Sequence, residues 1–423
     1  MDQGNTSFML LSAALVLLMT PGLAFFYGGL VKAKSVISMM MLSFGAMGVI
    51  GVLWVIYGYA IAFPTLTEGV VQAPWSIDTT SLFLNGLLEA PEGAAYPPLA
   101  FAAFQATFAI ITVALVSGAI ADRAKFGSWL VFAGVWGTLV YFPVASWVFN
   151  FGLNEDLTFK SGGWITLGLQ QLLGTGAIDF AGGTAVHINA GMAGLALAIV
   201  LGKRVGFAKG AHVPHNPPFV MLGAGLLWFG WFGFNAGSEL AADNTAAIAF
   251  INTLGAPAAA LLGWLVIEKI RDGKPTSVGA ASGVVAGLVA ITPACASLTP
   301  GWALLLGLIA GVLCALAVDL KYKLGFDDSL DVVGVHVVGG LVGTLYLGFF
   351  ANGTGLIHSG SWNQLAAQAL AAGAVAVYSF IGALVIGFVI EKTIGFRVKN
   401  EDEIAGIDSA IHGEEALVLE GKS

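Results

Sequence analysis

The chain has 423 residues, of which 57% are hydrophobic and 10% charged, with a formal net charge of −8. A soluble domain carries about 25% charged residues, so this composition cannot supply a water-soluble surface, and its high hydrophobicity excludes disorder. A pI near 5.2 with no basic stripe excludes a nucleic-acid partner, which leaves an all-α polytopic membrane protein.

Apolar runs long enough to cross a bilayer lie near 8–30, 36–62, 98–120, 127–149, 182–201, 218–237, 245–267, 277–295, 301–320, 332–350 and 367–390. They predict eleven transmembrane helices, an odd number that puts the termini on opposite sides. Glycine, at 58 residues, is about twice as frequent as usual; small residues let membrane helices approach closely where lipid gives no hydrophobic drive. Cys295 and Cys314 sit inside apolar runs and read as packing residues, without disulfide or metal roles.

Basic residues set the orientation. Lys32 and Lys34 follow the first span, Arg123 and Lys125 the third, and Lys203, Arg204 and Lys209 the fifth. Lys269, Arg271 and Lys274 follow the seventh, Lys321 and Lys323 the ninth, and Lys392, Arg397, Lys399 and Lys422 the last. Of 17 basic residues only Lys160 falls on the other side, so the N-terminus is expected outside and the C-terminus inside. The outer loops carry Glu68, Asp78, Glu89, Glu92, Glu155, Asp156, Glu239 and Asp243. They either enrich a cation at the entrance or simply reflect avoidance of basic residues there. No basic residue precedes the first apolar run, so no cleavable signal peptide is indicated. The expected organisation is a membrane domain over 1–395 and a polar cytosolic tail over 396–423, rich in acidic residues from Glu401 to Glu420.

Two segments repeat. Val186-His187 is followed by Gly191 and Gly194, and Val335-His336 by Gly340 and Gly343. Each histidine has an aspartate eight residues earlier, Asp179 and Asp328. The fifth and tenth spans run in opposite directions, which predicts a five-plus-five inverted repeat, with halves over about 1–205 and 215–350 and an extra helix over about 367–390. Such repeats place a transport site at their interface near the midplane. Eight helical residues rise about 12 Å, close to half of a ~30 Å hydrocarbon core, so the two histidines can meet if each aspartate sits near its own membrane face.

An ionisable side chain in mid-membrane faces the protein interior or an aqueous path. Two facing imidazoles can share one proton and stay neutral; the alternatives are two separately satisfied histidines or a metal pair, and the latter lacks a nearby third ligand. Asp179 can cap the helix of His187 or stabilise a cation at long range, and Asp328 is its inner counterpart. Aromatic rings at Phe104, Phe108, Trp231 and Phe234 can bind a partly dehydrated cation, close a narrow path, or merely pack. No P-loop is visible, and no ATP or other cofactor is implied.

Five motifs together resemble the Amt/Mep/Rh ammonium transporters, in the bacterial and archaeal Amt branch. They are Phe104-Gln105-x-x-Phe108, Asp179-Phe-Ala-Gly-Gly-Thr-x-Val-His187-Ile-Asn, Trp231-Phe-Gly-Phe-Asn-Ala-Gly-Ser238, Thr292-Pro-Ala-Cys295 and Asp331-Val-x-Gly-Val-His336. The resemblance runs over nearly the whole chain. It implies a homotrimer in the cell membrane with one pore per subunit and no enzyme activity. It further implies that ammonium is recruited at an outer site by Phe108 and Ser238, with Asp179 in support. Phe108 and Phe234 would form a stacked gate, His187 and His336 the pore pair, and Gln105, Trp231 and Thr292 would line or buttress the path. The family has a Trp at the outer end of the fourth span. Alignment from Tyr141 and Pro143 puts Phe149 there, with Trp147 as the alternative. The tail, with Gly395-Phe-Arg397-Val, Glu403-x-x-Gly406-Ile-Asp408 and His412-Gly413-Glu414-x-Ala416, also resembles the family, which implies subunit coupling and a surface for a trimeric PII-type signalling protein. His212, His215 and His358 receive no role. The expected function is recruitment and deprotonation of ammonium and conduction of ammonia, with net charge movement. The competing readings are an ammonium sensor or transceptor acting through its tail, an Rh-type neutral gas channel, and an intramembrane metalloenzyme.

Overall fold

The computed structural model describes residues 1–154, 156–207 and 213–416. Glu155, Lys209, His212, Glu420 and Lys422, considered above, lie outside the described residues. Ten helices among the described residues are long and apolar enough to cross a membrane: α1 (Gln3–Leu30), α2 (Val36–Ala62), α3 (Pro98–Ile120), α4 (Phe126–Phe149), α5 (Gly183–Leu201), α6 (Pro217–Glu239), α7 (Asn244–Arg271), α9 (Pro300–Leu324), α10 (Val333–Phe350) and α11 (Asn363–Thr393). Between α7 and α9 lies a shorter apolar helix, α8 (Ser277–Ile291). It ends earlier than its apolar run because Pro293 has no N–H to continue the ladder; the chain passes into turns there.

The helix starts follow local chemistry. Asp2, Asn216, Asp243 and Thr276 place side-chain oxygens on the free N–H groups opening α1, α6, α7 and α8. Pro98, Pro217 and Pro300 occupy first helical positions, where a missing N–H does no harm. One element departs from the all-helical expectation. The outer loop after α4 forms a short antiparallel hairpin, β1 (Phe151–Leu153) with β2 (Phe159–Gly162).

Close approaches give the helix directions. A side chain at Gly22 would meet Leu226, and one at Gly237 would meet Ser12, so contacts climb α1 while they descend α6. In the same way Gly191 faces Val337 and Gly194 faces Val332, so α5 and α10 cross antiparallel. Gly283 faces Leu261 and Gly287 faces Pro257, making α8 antiparallel to α7. Gly307 faces Ala256 and Gly311 faces Ala260, making α9 parallel to α7. The short α8 thus keeps the alternation of direction.

At one end of the bundle, ion pairs tie loops together. The Arg204 guanidinium lies 2.9 Å from Asp327 and 3.0 Å from Asp122. Arg123 is fully buried and donates to Ser329 Oγ and to the carbonyls of Ala119 and Asp327. The tail docks at the same end. Arg397 pairs with Glu403 at 2.8 Å and donates to the Leu201 carbonyl. Asp408 accepts from the N–H groups of Ile37 and Ser38, capping α2.

Candidate functional site

The site is built where α5 and α10 begin. Both open with a π-helical turn, Gly183–Ile188 and Val333–Val337, and each turn carries its histidine. Such turns widen the helix by one residue and re-aim side chains, and they recur at functional sites. The interval from aspartate to histidine is therefore not one continuous helix. Residues 180–182 lie outside α5, and Gly182 takes a φ of +113° that glycine accommodates. Asp179 folds back over this bend, and its carboxylate accepts from the N–H groups of Gly182 (3.1 Å), Thr184 (2.9 Å) and Ala185 (2.9 Å). Asp328 accepts from Val333 N–H at 2.7 Å at the start of α10. Both carboxylates cap the helices that bear the histidines.

His187 and His336 meet across the antiparallel crossing. Their Nδ1 atoms lie 3.2 Å apart, with ring centroids 5.3 Å apart and planes within 18°. The closeness depends on Gly340, whose missing Cβ leaves room for the Gly183 carbonyl and Ile188. Two ring nitrogens in contact hold one hydrogen between them, so one imidazole donates and the other accepts. Both rings are buried, and His187 Nε2 has no hydrogen-bond partner among the described residues. The pair lines an apolar cavity of about 10 Å³, together with Leu23, Phe26, Ile111, Leu115, Leu227, Val285 and others. That is room for roughly one water-sized molecule.

The aromatic residues stack in sequence toward this pair. Trp231 lies over His187 at 5.5 Å and 19°, and its Nε1 donates to Thr292 Oγ1 at 2.8 Å. Thr292 in turn donates to the Leu288 carbonyl. Phe234 lies 6.3 Å from His187 and stacks on Phe108 at 4.0 Å and 16°. Phe149 meets the Phe108 ring edge to face at 6.0 Å and 82°. Trp147 is turned away: its Nε1 donates to the Pro74 carbonyl, and its ring packs on Trp164 and Tyr378. The structure therefore places Phe149, not Trp147, beside Phe108. Ser238 donates to the Phe234 carbonyl at 2.8 Å. Gln105 is buried, with an Oε1 that has no partner among the described residues.

Phe108, Phe149, Phe234, Trp231, His187 and His336 are thus linked ring to ring, with Thr292 and Ser238 bonded to members of the series. Asp179 and Asp328 stand apart from it and bond the backbone. Lys321 bonds the Asp328 carbonyl and pairs with Asp331 at 2.7 Å. Sequence reasoning missed Gln364, Gln368 and Ser379 of α11, which hold the segment before α5 and α5 itself. The available signal was two polar side chains, Gln368 and Ser379, inside the apolar run over 367–390, with Gln364 just before it. Among the described residues no group of three or more His, Cys, Asp or Glu is placed to hold a metal.

A bundle of apolar spanning helices around a buried, aromatic-lined cavity defines a multi-pass membrane protein. The model of the Ammonium Transporter Family matches residues 7–417, and the chain belongs to that family. An ammonium transporter of Mycobacterium tuberculosis is 54% identical over 437 residues, covering 98% of this chain and 90% of the relative. Among solved structures, one described as a sensor Amt protein superposes with a TM-score of 0.86 at 29% identity, covering 96% of this chain and 98% of the other. The structure of Saccharomyces cerevisiae Mep2 superposes with a TM-score of 0.82 at 33% identity, covering 95% of this chain and 91% of the other.

Proposed function

We propose that this protein is an ammonium transporter that recruits ammonium outside, deprotonates it and conducts ammonia past His187 and His336. The observation that carries the reading is the 3.2 Å contact between two buried imidazoles beside an apolar cavity, close to a stacked phenylalanine pair. Phe108, Phe149 and Ser238 form the recruitment site, where ring faces compensate a cation for lost water. Asp179 holds the helix start beneath it. Phe108 and Phe234 close the path to hydrated ions. Gln105, Trp231 and Thr292 keep the aromatic series in place, and Asp328 fixes the second histidine as Asp179 fixes the first.

Selectivity follows from desolvation. Ammonium can leave its proton and cross as a neutral molecule. Potassium has no proton to release and would enter the apolar cavity as an ion, at an effective penalty of several kcal/mol. The neutral histidine pair supplies a donor and an acceptor without a net charge. The proton given up outside crosses separately, by exchange with the hydrogen shared between His187 and His336 and not as an ion inside the cavity, so transport moves charge.

The chain crosses the cell membrane eleven times, with α8 as the eighth crossing and the N-terminus outside. The halves are related as a five-plus-five inverted repeat, with α11 added. Opposed directions of α1 and α6, and of α5 and α10, support this arrangement. The protein acts as a homotrimer with one conduit per subunit. Its tail, which joins loops at the inner face, couples the subunits and contributes to a surface for a PII-type protein.

Solid-supported-membrane electrophysiology on proteoliposomes tests the reading. Ammonium pulses are expected to give a current, methylammonium a smaller one and potassium none. An unchanged rate and selectivity in His187→Ala/His336→Ala would overturn it. A sensor reading is favoured only by the likeness to the sensor Amt protein; it requires binding or conformational change without flux.

A further inference from the structure

The proline-free helix α11 lies outside the repeat, yet it carries three fully buried polar side chains: Gln364, Gln368 and Ser379, each no more than 1% exposed. Gln368 makes the most connections. Its Oε1 accepts from Ile178 N–H at 2.6 Å, and its Nε2 donates to the Ile178 carbonyl at 2.8 Å. The same Nε2 donates to the carbonyl of Thr344 at 3.1 Å. Ile178 immediately precedes Asp179, whose carboxylate caps the helix of His187. Thr344 lies on α10, eight residues beyond His336. One amide thus grips both arms that bring the histidines together. Gln364 continues the clasp, donating to the Gly176 carbonyl and to Gln368 Oε1, while Thr175 donates to Gln364. Further along, Ser379 donates to the Asn189 carbonyl at 2.6 Å, two residues past His187.

Extended backbone in a membrane protein needs partners from within the protein, and satisfying Ile178 explains why some polar group is present. It does not require that the same group also reach α10. A hydrophobic helix packed there would leave the two arms joined by the histidine contact, the weak 3.5 Å approach of the Thr184 and Thr344 hydroxyls and van der Waals packing at the glycines, with no side chain hydrogen-bonded to both backbones. We propose that Gln368 is a positioning residue: from the helix outside the repeat it fixes the distance and tilt between His187 and His336 by holding Ile178 and Thr344 in one grip. Its role in transport rests on the pore reading above.

The test uses the full-length protein in liposomes with Gln368→Leu and Gln368→Glu. The glutamate keeps shape and volume but, held neutral by burial, has one O–H in place of two N–H donors and cannot donate to both Ile178 and Thr344. Two measurements are made: nitrogen-15 solid-state spectra of histidine-labelled protein, which read the shared Nδ1 hydrogen directly, and currents with ammonium and potassium. Loss or displacement of the paired Nδ1 signals is expected, with ammonium current down by about tenfold or more, since small misplacements of reacting groups have effects of that size. Wild-type histidine signals and wild-type selectivity in either folded variant overturn the proposal. Failure of both variants to fold assigns the clasp to stability alone and overturns it as well. Absence of current in the unmodified protein overturns the pore reading, while the spectra still decide whether Gln368 positions the histidines.

Discussion

Phe149 and Trp147 stand two residues apart near the end of α4 and face opposite ways. Phe149 lies against Phe108, whereas Trp147 is held by Pro74 and Tyr378. Benzene faces bind cations less strongly than indole, and a whole such contact is worth about 0.5–1 kcal/mol at exposed sites. Phe149→Trp is therefore expected to lower the half-saturating ammonium concentration, by no more than about fivefold, read from concentration series of the transport current. Trp147→Phe leaves that concentration unchanged, because its ring does not touch the site. The sequence left both residues open for a physical reason. A π-helical turn at Gly137–Tyr141 adds a residue to α4, and each added residue rotates everything after it by about 100°. Counting along a regular helix cannot settle which ring faces inward. The aspartate and histidine positions were legible because they recur as a spaced pair.

At the level of elements, α5 and α10 depend on their caps and on the glycines at their crossing. The N–H groups of Thr184 and Ala185 at the start of α5, and of Gly182 just before it, have the Asp179 carboxylate as acceptor. Asp179→Ala is expected to destabilise the protein by about 1–2 kcal/mol, measured as a lowered melting temperature in detergent. Gly340→Val forces a Cβ to about 3.0 Å from the Gly183 carbonyl, an overpacking expected to destabilise by about 1–3 kcal/mol and to part the histidines. The same thermal assay, together with the histidine spectra, checks it. The glycine spacing in V-H-x3-G-x2-G signalled close packing. The π-helical turns gave no such signal, since Thr184-Ala-Val-His187-Ile-Asn reads as uninterrupted helix. The hairpin was missed because strands of three and four residues offer too few alternations to register.

For the whole molecule, the end of the bundle where the tail docks matters most. Sixteen of the 17 basic residues were sorted to one side by loop order alone, and the structure gathers Lys34, Arg123, Arg204 and Arg397 around the tail and its neighbouring loops. Their acidic partners could not be read from sequence, because Asp327 and Asp122 are far apart along the chain. Burial alone would raise the Asp327 carboxyl, but Arg204 and Arg123 outweigh it and hold it below the usual carboxylate range. Its stabilising contribution is complete above the ordinary carboxylate range and is lost as the pH falls through the folded-state value. Asp327→Asn is expected to destabilise by about 3–5 kcal/mol at neutral pH and to flatten the acid side of the melting-temperature profile. Asp408→Ala removes the acceptor for two N–H groups of α2 and is expected to weaken tail docking by about 1–2 kcal/mol. Faster limited proteolysis within residues 400–416 is the readout.

The two imidazoles that touch are separated by 149 residues, and this has a consequence for biosynthesis. A ribosome adding roughly 5–20 residues per second makes His336 roughly 7 to 30 s after His187. Throughout that interval His187 has no His336 to pair with. If the histidine pair is the proposed pore, no half-made chain holds a complete path, and the growing protein is expected not to leak ammonium before its second half arrives. A chain stopped at residue 330 is expected to insert and to carry no ammonium current.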